Sequence, residues 1–221
     1  MFVGHYAVSL AVKRLAPRLS LGWTFLAVQF LDLIWAPAIL LGIEHARIRP
    51  GYLAASPLVL FDMPWTHSFL MAIAWSWLLF RISKSPAIGI CVFSHWVLDF
   101  IAHAPDLPLY RGGPVVGLGL WRSQAGTVGA ETVLLILGLL VYLRATRAIR
   151  PAGQWAMIAF TTALVVVGAI NVYGPPPPNI RFIAIGAEMA YVSFAAVAAW
   201  LDRFRAPLEP EPPTRLNLAE A

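Results

Sequence analysis

Ser94-His95-Trp96-Val97-Leu98-Asp99-Phe100-Ile101-Ala102-His103, running on to Pro105-Asp106-Leu107-Pro108, closes an apolar run that begins at Pro86. Within it His95, Asp99 and His103 recur every four residues. On an α-helix that spacing stacks the side chains on one slowly drifting face. A carboxylate between two imidazoles on an apolar helix is costly to bury unless something binds or pairs it. The rest of the chain is examined for what that partner is.

Composition places the chain in a membrane class. Apolar residues make up 59% of its 221 positions and charged residues only 12%, about half the charge of an ordinary soluble domain. Nine Trp and six Tyr suit the membrane interface. The net charge of +5 does not point to nucleic acid, because the basic residues are scattered between apolar runs. The single Cys91 excludes an intrachain disulfide and a cysteine-based metal site. Lys13 and Arg14 follow the first apolar stretch instead of preceding it, so residues 1–16 do not read as a cleaved signal peptide.

The predicted fold is all-α, a polytopic bundle of about six transmembrane helices plus a short N-terminal half-membrane helix. Residues 2–15 form that short helix, about 21 Å long against a ~30 Å hydrocarbon core. The six runs are 19–43, with Pro37 as the expected kink, then 67–82, 86–103, 126–143, 154–173 and 180–201. Residues 44–65 and 104–122 read as loops and 175–178 as a stiff proline connector. The expected organisation is one membrane domain over 1–205 and a disordered tail over 206–221. Lys13, Arg14, Arg18, Arg81, Lys84, Arg144, Arg147, Arg150, Arg203 and Arg205 fall in alternate loops. The positive-inside rule then makes those loops and the C-terminus cytoplasmic, in a multi-pass protein of a bacterial inner membrane.

That topology lets Asp32, Asp62, His67, His95, Asp99 and His103 converge in the outer half of the bundle, from separate helices, as bundle-core metal sites are built. Imidazole with carboxylate and no thiolate suits a divalent ion, Zn or Mn foremost. Asp32, His67, His95 and Asp99 are the expected ligands, with Asp32 and Asp99 also candidates for the general base. His5, Asp62, His103, Ser94 and Ser68 are expected to support them or to add a ligand. Each has a plainer alternative. The acids can pair with polar groups on neighbouring helices, Thr66 or Ser68 can cap a helix, and Glu131 can serve a helix dipole.

At these residues the sequence resembles the bacterial membrane-bound metal-dependent hydrolases, also described as LexA-binding, inner-membrane-associated hydrolases. The resemblance is carried by Gly4-His5, by Gln29-Phe30-Leu31-Asp32, by Asp62-Met63-Pro64-Trp65-Thr66-His67-Ser68 and by Ser94-His95-Trp96-Val97-Leu98-Asp99, with Pro108-Leu109 beyond. It spans roughly residues 1–110. The chain would be a divergent member: the second acid of the family's Pro-Asp-x-Asp motif is replaced by Ile34, its first middle-motif His falls on Asp62, and its Arg-Gly falls on Met63-Pro64. The resemblance implies a metal site and a hydrolytic reaction.

The expected function is therefore a membrane-embedded metal-dependent hydrolase acting on a lipid-like ester or phosphoester from the outer side. Membrane lipid and an amphipathic small-molecule substrate are the expected partners. A proton- or cation-coupled transporter using the same acids and imidazoles is the first alternative, although the second half carries no matching polar set. A non-catalytic scaffold is the other.

Overall fold

The computed structural model describes residues 2–208. Among them are eight α-helices and three two-stranded antiparallel sheets, so the all-α expectation is corrected to a mixed, helix-dominated fold. The chain opens with a 3-10 turn, Val3–His5, then α1 (Tyr6–Ala11) and a second 3-10 turn, Val12–Arg14. Helices α2 (Leu21–Val28) and α3 (Phe30–Leu40) follow, then the hairpin-like pair β1 (His45–Ile48) and β2 (Leu58–Asp62). Next come α4 (Phe69–Ser83), α5 (Pro86–Ala102), and the short pair β3 (Leu107–Pro108) and β4 (Val115–Val116). Helix α6 (Gln124–Ala145), β5 (Thr146–Ala148), α7 (Ala152–Tyr173), α8 (Ile180–Asp202) and β6 (Arg205–Pro207) complete the order. Strand β6 pairs with β5 and ties the chain beyond α8 to the end of α6. Residues 209–221, which hold most of the expected tail, lie outside the described residues.

Six spans were expected and the helix lengths do not support them. Helices α4 and α5 have 15 and 17 residues, about 22 and 26 Å long against the ~30 Å hydrocarbon core. Among the described residues only α6, α7 and α8 are long and apolar enough to cross a membrane by themselves, at 22, 22 and 23 residues. The run predicted over 19–43 is broken at Gln29, where α2 and α3 meet at a bend of 52°, so the pair makes at most a fourth span. Three or four apolar helices support a multi-pass membrane topology. Pro37 sits within α3 and the break occurs eight positions earlier.

Local chemistry accounts for the ends of these elements. Ser20, Ser68, Ser123 and Asn179 cap α2, α4, α6 and α8, each side chain accepting a backbone N–H of the first turn. Pro86 opens α5 at the position where a missing N–H costs nothing. Gly42, at φ +70°, turns the chain out of α3, a conformation glycine adopts without steric cost.

The short N-terminal segment is the centre of the packing. Val3, Tyr6 and Leu10 are essentially inaccessible, in one core with Phe25, Val28, Cys91 and Leu135. Helix α1 lies so close to α6 that a Cβ on Gly138 would sit 2.5 Å from the Ala7 carbonyl oxygen. Glu131 of α6 reaches back to accept the backbone N–H groups of Phe2, Val3 and Gly4 at 3.0, 2.9 and 3.1 Å. At the other end Lys13 pairs with Asp202 at 2.5 Å, and Asp202 also accepts Tyr142 Oη–H at 2.9 Å. These contacts draw residues 2–14 between the long helices and place His5 in the interior.

Candidate metal centre

Four elements bring the site together. His5 ends the first 3-10 turn, Asp32 lies in the first turn of α3, His67 precedes α4, and His95 and Asp99 stand one turn apart on α5. His95 Nε2 lies 3.1 Å from Asp99 Oδ2 and 3.7 Å from Asp32 Oδ1. His67 Nε2 lies 3.2 Å from Asp32 Oδ1 and 3.7 Å from Asp99 Oδ2. Two imidazole nitrogens thus each face the same two carboxylates. His5 adds Nε2 at 3.2 Å from Asp99 Oδ1, and its ring stacks on that of His95 with centroids 4.0 Å apart and planes within 1°.

The break at Gln29 has a direct consequence for His95. The last carbonyls of a helix have no partner within it, and the Val28 carbonyl at the end of α2 accepts from His95 Nδ1 at 2.7 Å. A carbonyl can only accept, so Nδ1 carries a proton. The opposite nitrogen, Nε2, is buried and makes no hydrogen bond of proper geometry. It points at two carboxylate oxygens, where a lone pair would be repelled. A proton between Nε2 and a carboxylate oxygen, or a metal ion, relieves that repulsion. Burial works against protonation of His95, but the Asp99 and Asp32 carboxylates outweigh it and leave the imidazole raised above its ordinary value. His5 goes the other way: burial first, then the neighbouring His95, push it down to about 3, so it stays neutral.

The supporting contacts come from across the fold. Tyr191 of α8 donates to Asp32 Oδ2 at 2.7 Å, leaving Oδ1 to face the imidazoles. Trp96 Nε1 donates to the His67 carbonyl at 3.0 Å and pins the loop before α4 to α5. His67 Nδ1 lies 2.8 Å from Thr66 Oγ1, which donates to Glu44 Oε2 at 2.6 Å. Asp32, His67 and His95 form one compact trio able to hold an ion, and His5, His95 and Asp99 form another. A buried His/Asp cluster capable of holding a divalent ion is therefore present.

The remaining predicted residues fall in different places. His103 caps the end of α5 with Nε2 3.8 Å from Asp99 Oδ1 and Nδ1 2.9 Å from Asp106 Oδ1, and it packs against Trp121. Asp62 pairs instead with His45 at 2.7 Å on the β1–β2 strands, where both side chains are about half exposed. Ser68 donates to the Pro64 carbonyl and caps α4, and Ser94 donates to the Cys91 carbonyl within α5. Sequence reasoning missed Tyr191, Glu44 and Thr66 as parts of the site. Tyr191 has no signal in sequence, being one tyrosine in an apolar helix. Glu44, an acid buried beside its imidazole through Thr66, carries a faint one in the adjacency of Thr66 and His67.

A cavity of about 690 Å³ opens on the cluster, within the usual size range for small-molecule sites. Asp32, His67, Asp99 and His103 form its polar end, and Leu60, Ile170, Phe182 and Ile183 are among its apolar walls.

This placement overturns the expected function. The ligand residues all come from positions 5–103 and none from the three long apolar helices over 124–202, which supply only Tyr191 and part of the cavity wall. A hydrolase site embedded among six spans and attacking a lipid-like ester from the outer side does not describe this arrangement, and neither does a transport path running between long spans. No protein-family model, curated protein or solved structure matches this chain.

Proposed function

We propose that this protein binds one divalent metal ion, zinc before manganese, at the trio Asp32, His67 and His95, with the Asp99 carboxylate beside it. The observation that carries the proposal is the buried Nε2 of His95, which makes no hydrogen bond and is held 3.1 and 3.7 Å from two carboxylate oxygens. Asp32 Oδ1 lies 3.2 and 3.7 Å from the two imidazole nitrogens, close to the ~3.3 Å that separates neighbouring ligands held ~2.0–2.1 Å from zinc. Two imidazoles and a carboxylate, without thiolate, are ligands of the kind zinc and manganese accept. A zinc ion held by three protein ligands would keep a position for water and lower its pKa toward ~7. The sequence resemblance to the metal-dependent, inner-membrane-associated family supports the same ligand set, and membership of that family is part of this proposal.

The cavity supports an amphipathic small molecule as the ligand. One end meets the ion site and the larger part of the wall is apolar, with Gln124, Glu131 and Asn171 among its polar exceptions, so a charged or polar head would sit near Asp32 and His67 while a chain lies along α7 and α8. It is lined by the starts of α6 and α8 and the end of α7, opposite the arginine-bearing connections around 144–150 and 203–205. By the positive-inside rule those connections face the cytoplasm and the cavity faces the other side.

Elemental analysis of purified protein, stripped with chelator and reloaded with zinc or manganese, tests the ion. Wild type is expected to hold one ion per chain, and His95→Ala and Asp32→Ala to hold none. A wild-type protein that takes up neither metal stoichiometrically sinks the proposal. An anionic single-chain amphiphile should raise the unfolding temperature of the zinc-loaded protein and leave His95→Ala unmoved.

A further inference from the structure

Glu44 lies just beyond α3, outside every motif of the sequence, yet it is only 1% exposed. The turn made by Gly42 brings it back along α3, with its own N–H and that of Ile43 bonded to the Ala38 carbonyl. Its carboxylate then meets the 63–67 loop from behind. Oε1 accepts the backbone N–H groups of Trp65 and Thr66 at 2.8 and 3.0 Å, and Oε2 accepts the Thr66 hydroxyl at 2.6 Å. The same hydroxyl oxygen is 2.8 Å from His67 Nδ1.

The direction of this chain is set by what each group is able to donate. A carboxylate offers only lone pairs, so the single hydroxyl proton of Thr66 is committed to Glu44. The Thr66 oxygen then has only lone pairs for His67, and Nδ1 must supply the proton between them. His67 thereby carries a proton on Nδ1, which leaves Nε2 as the nitrogen that faces Asp32 and Asp99. We infer that Glu44, acting through Thr66, is a positioning residue that sets the tautomer and orientation of His67 for metal binding. The Val28 carbonyl does the same for His95 from the other side, so both imidazoles present the same nitrogen. Carboxylate-supported histidine ligands of this kind lose metal affinity when the support is removed. The link to metal rests on the proposed ion site, whereas the tautomer itself does not.

Glu44→Gln reverses the chain with little change of shape. The amide oxygen can still accept from Trp65 and Thr66 N–H, while the amide NH₂ faces the Thr66 oxygen. The hydroxyl proton is then released toward His67 Nδ1, and Nε2 takes the ring proton. The experiment uses the full-length protein with ¹⁵N-labelled histidine, its ring nitrogens read by NMR without metal, followed by zinc titration against a competing chelator. The wild type and Thr66→Ser, which keeps the hydroxyl, should show His67 protonated at Nδ1 and bind zinc equally well. Glu44→Gln and Thr66→Val should lose that signature and bind zinc roughly 10- to 100-fold more weakly. Thr66→Val keeps both backbone bonds to Glu44 and serves if Glu44→Gln misfolds. Wild-type His67 without a proton on Nδ1, or both variants binding zinc as tightly as wild type, overturns the assignment. A wild type with the Nδ1–H tautomer and no zinc uptake upholds the positioning geometry and removes the metal proposal alone.

Discussion

Replacing Glu131 by alanine removes one carboxylate and strands three donors. Glu131 Oε1 accepts from Phe2 N at 3.0 Å, and Oε2 accepts from Val3 N and Gly4 N at 2.9 and 3.1 Å. The Val3 and Gly4 bonds are buried, whereas the Phe2 bond is partly buried beside the cavity that Glu131 also lines. Water from the cavity can satisfy the Phe2 donor, so two orphaned N–H groups decide the cost. Each buried, unpaired donor costs about 1–3 kcal/mol, which sets the expected loss near 3 kcal/mol, with relaxation of the turn trimming the upper end. That is a large share of a typical ~5–15 kcal/mol total. Glu131→Gln should cost less, about 1 kcal/mol, since the amide oxygen can keep the two buried bonds. Denaturant unfolding in detergent micelles measures the loss, and amide hydrogen exchange locates it. Val3 and Gly4 should lose protection ahead of α6 itself, and His5, carried by the same turn, should lose its contact with Asp99. A Glu131→Ala protein within about 0.5 kcal/mol of wild type, with Val3 and Gly4 still protected, would refute the reasoning.

Two further outcomes follow from the same packing. Zinc binding should weaken as pH falls, because the ion displaces the proton of His95, whose imidazole is raised above 6.5 by Asp99 and Asp32 against the pull of burial; calorimetry in buffers of different ionisation enthalpy should show proton release that grows toward acidic pH, and a pH-independent affinity between pH 5 and 8 contradicts it. Lys13→Met should destabilise the protein by about 2–3 kcal/mol, since it leaves the partly buried Asp202 carboxylate with only Tyr142 O–H and Leu21 N–H as partners; Lys13→Met with Asp202→Asn should recover part of that in the same unfolding assay, and equal losses in both proteins would argue against the pair.

The last three helices were legible in the sequence almost to the residue. They are apolar over more than 20 positions and capped by Ser123 and Asn179, so length and capping alone define them. Apolar composition is a poor guide at 67–82 and 86–103, because it does not distinguish a span from a helix of 15 or 17 residues that falls short of the hydrocarbon thickness. Pro37 drew the expected kink to itself, whereas the chain breaks at Gln29, where Gln29 Nε2 donates to the Phe2 carbonyl from a different part of the chain. The strand pair β1–β2 was read as loop because its partners lie 10 to 17 positions apart and alternate only weakly.

The sequence by itself determined the stripe of His95 and Asp99, because four-residue spacing on a helix is a local geometric fact. It also determined the apolar character that commits α6 to α8 to a membrane. Only the tertiary structure decided which acids and imidazoles meet. It turned Asp62 outward to His45, brought His5 against Asp99, and aimed Tyr191 and Glu44 at the backs of Asp32 and His67. The physical reason is that a ligand set is a matter of distances of about 3 Å between side chains far apart in the chain. Those distances depend on a bend at Gln29, a turn at Gly42 and a buried first turn held by Glu131, each stabilised by contacts that no local pattern encodes.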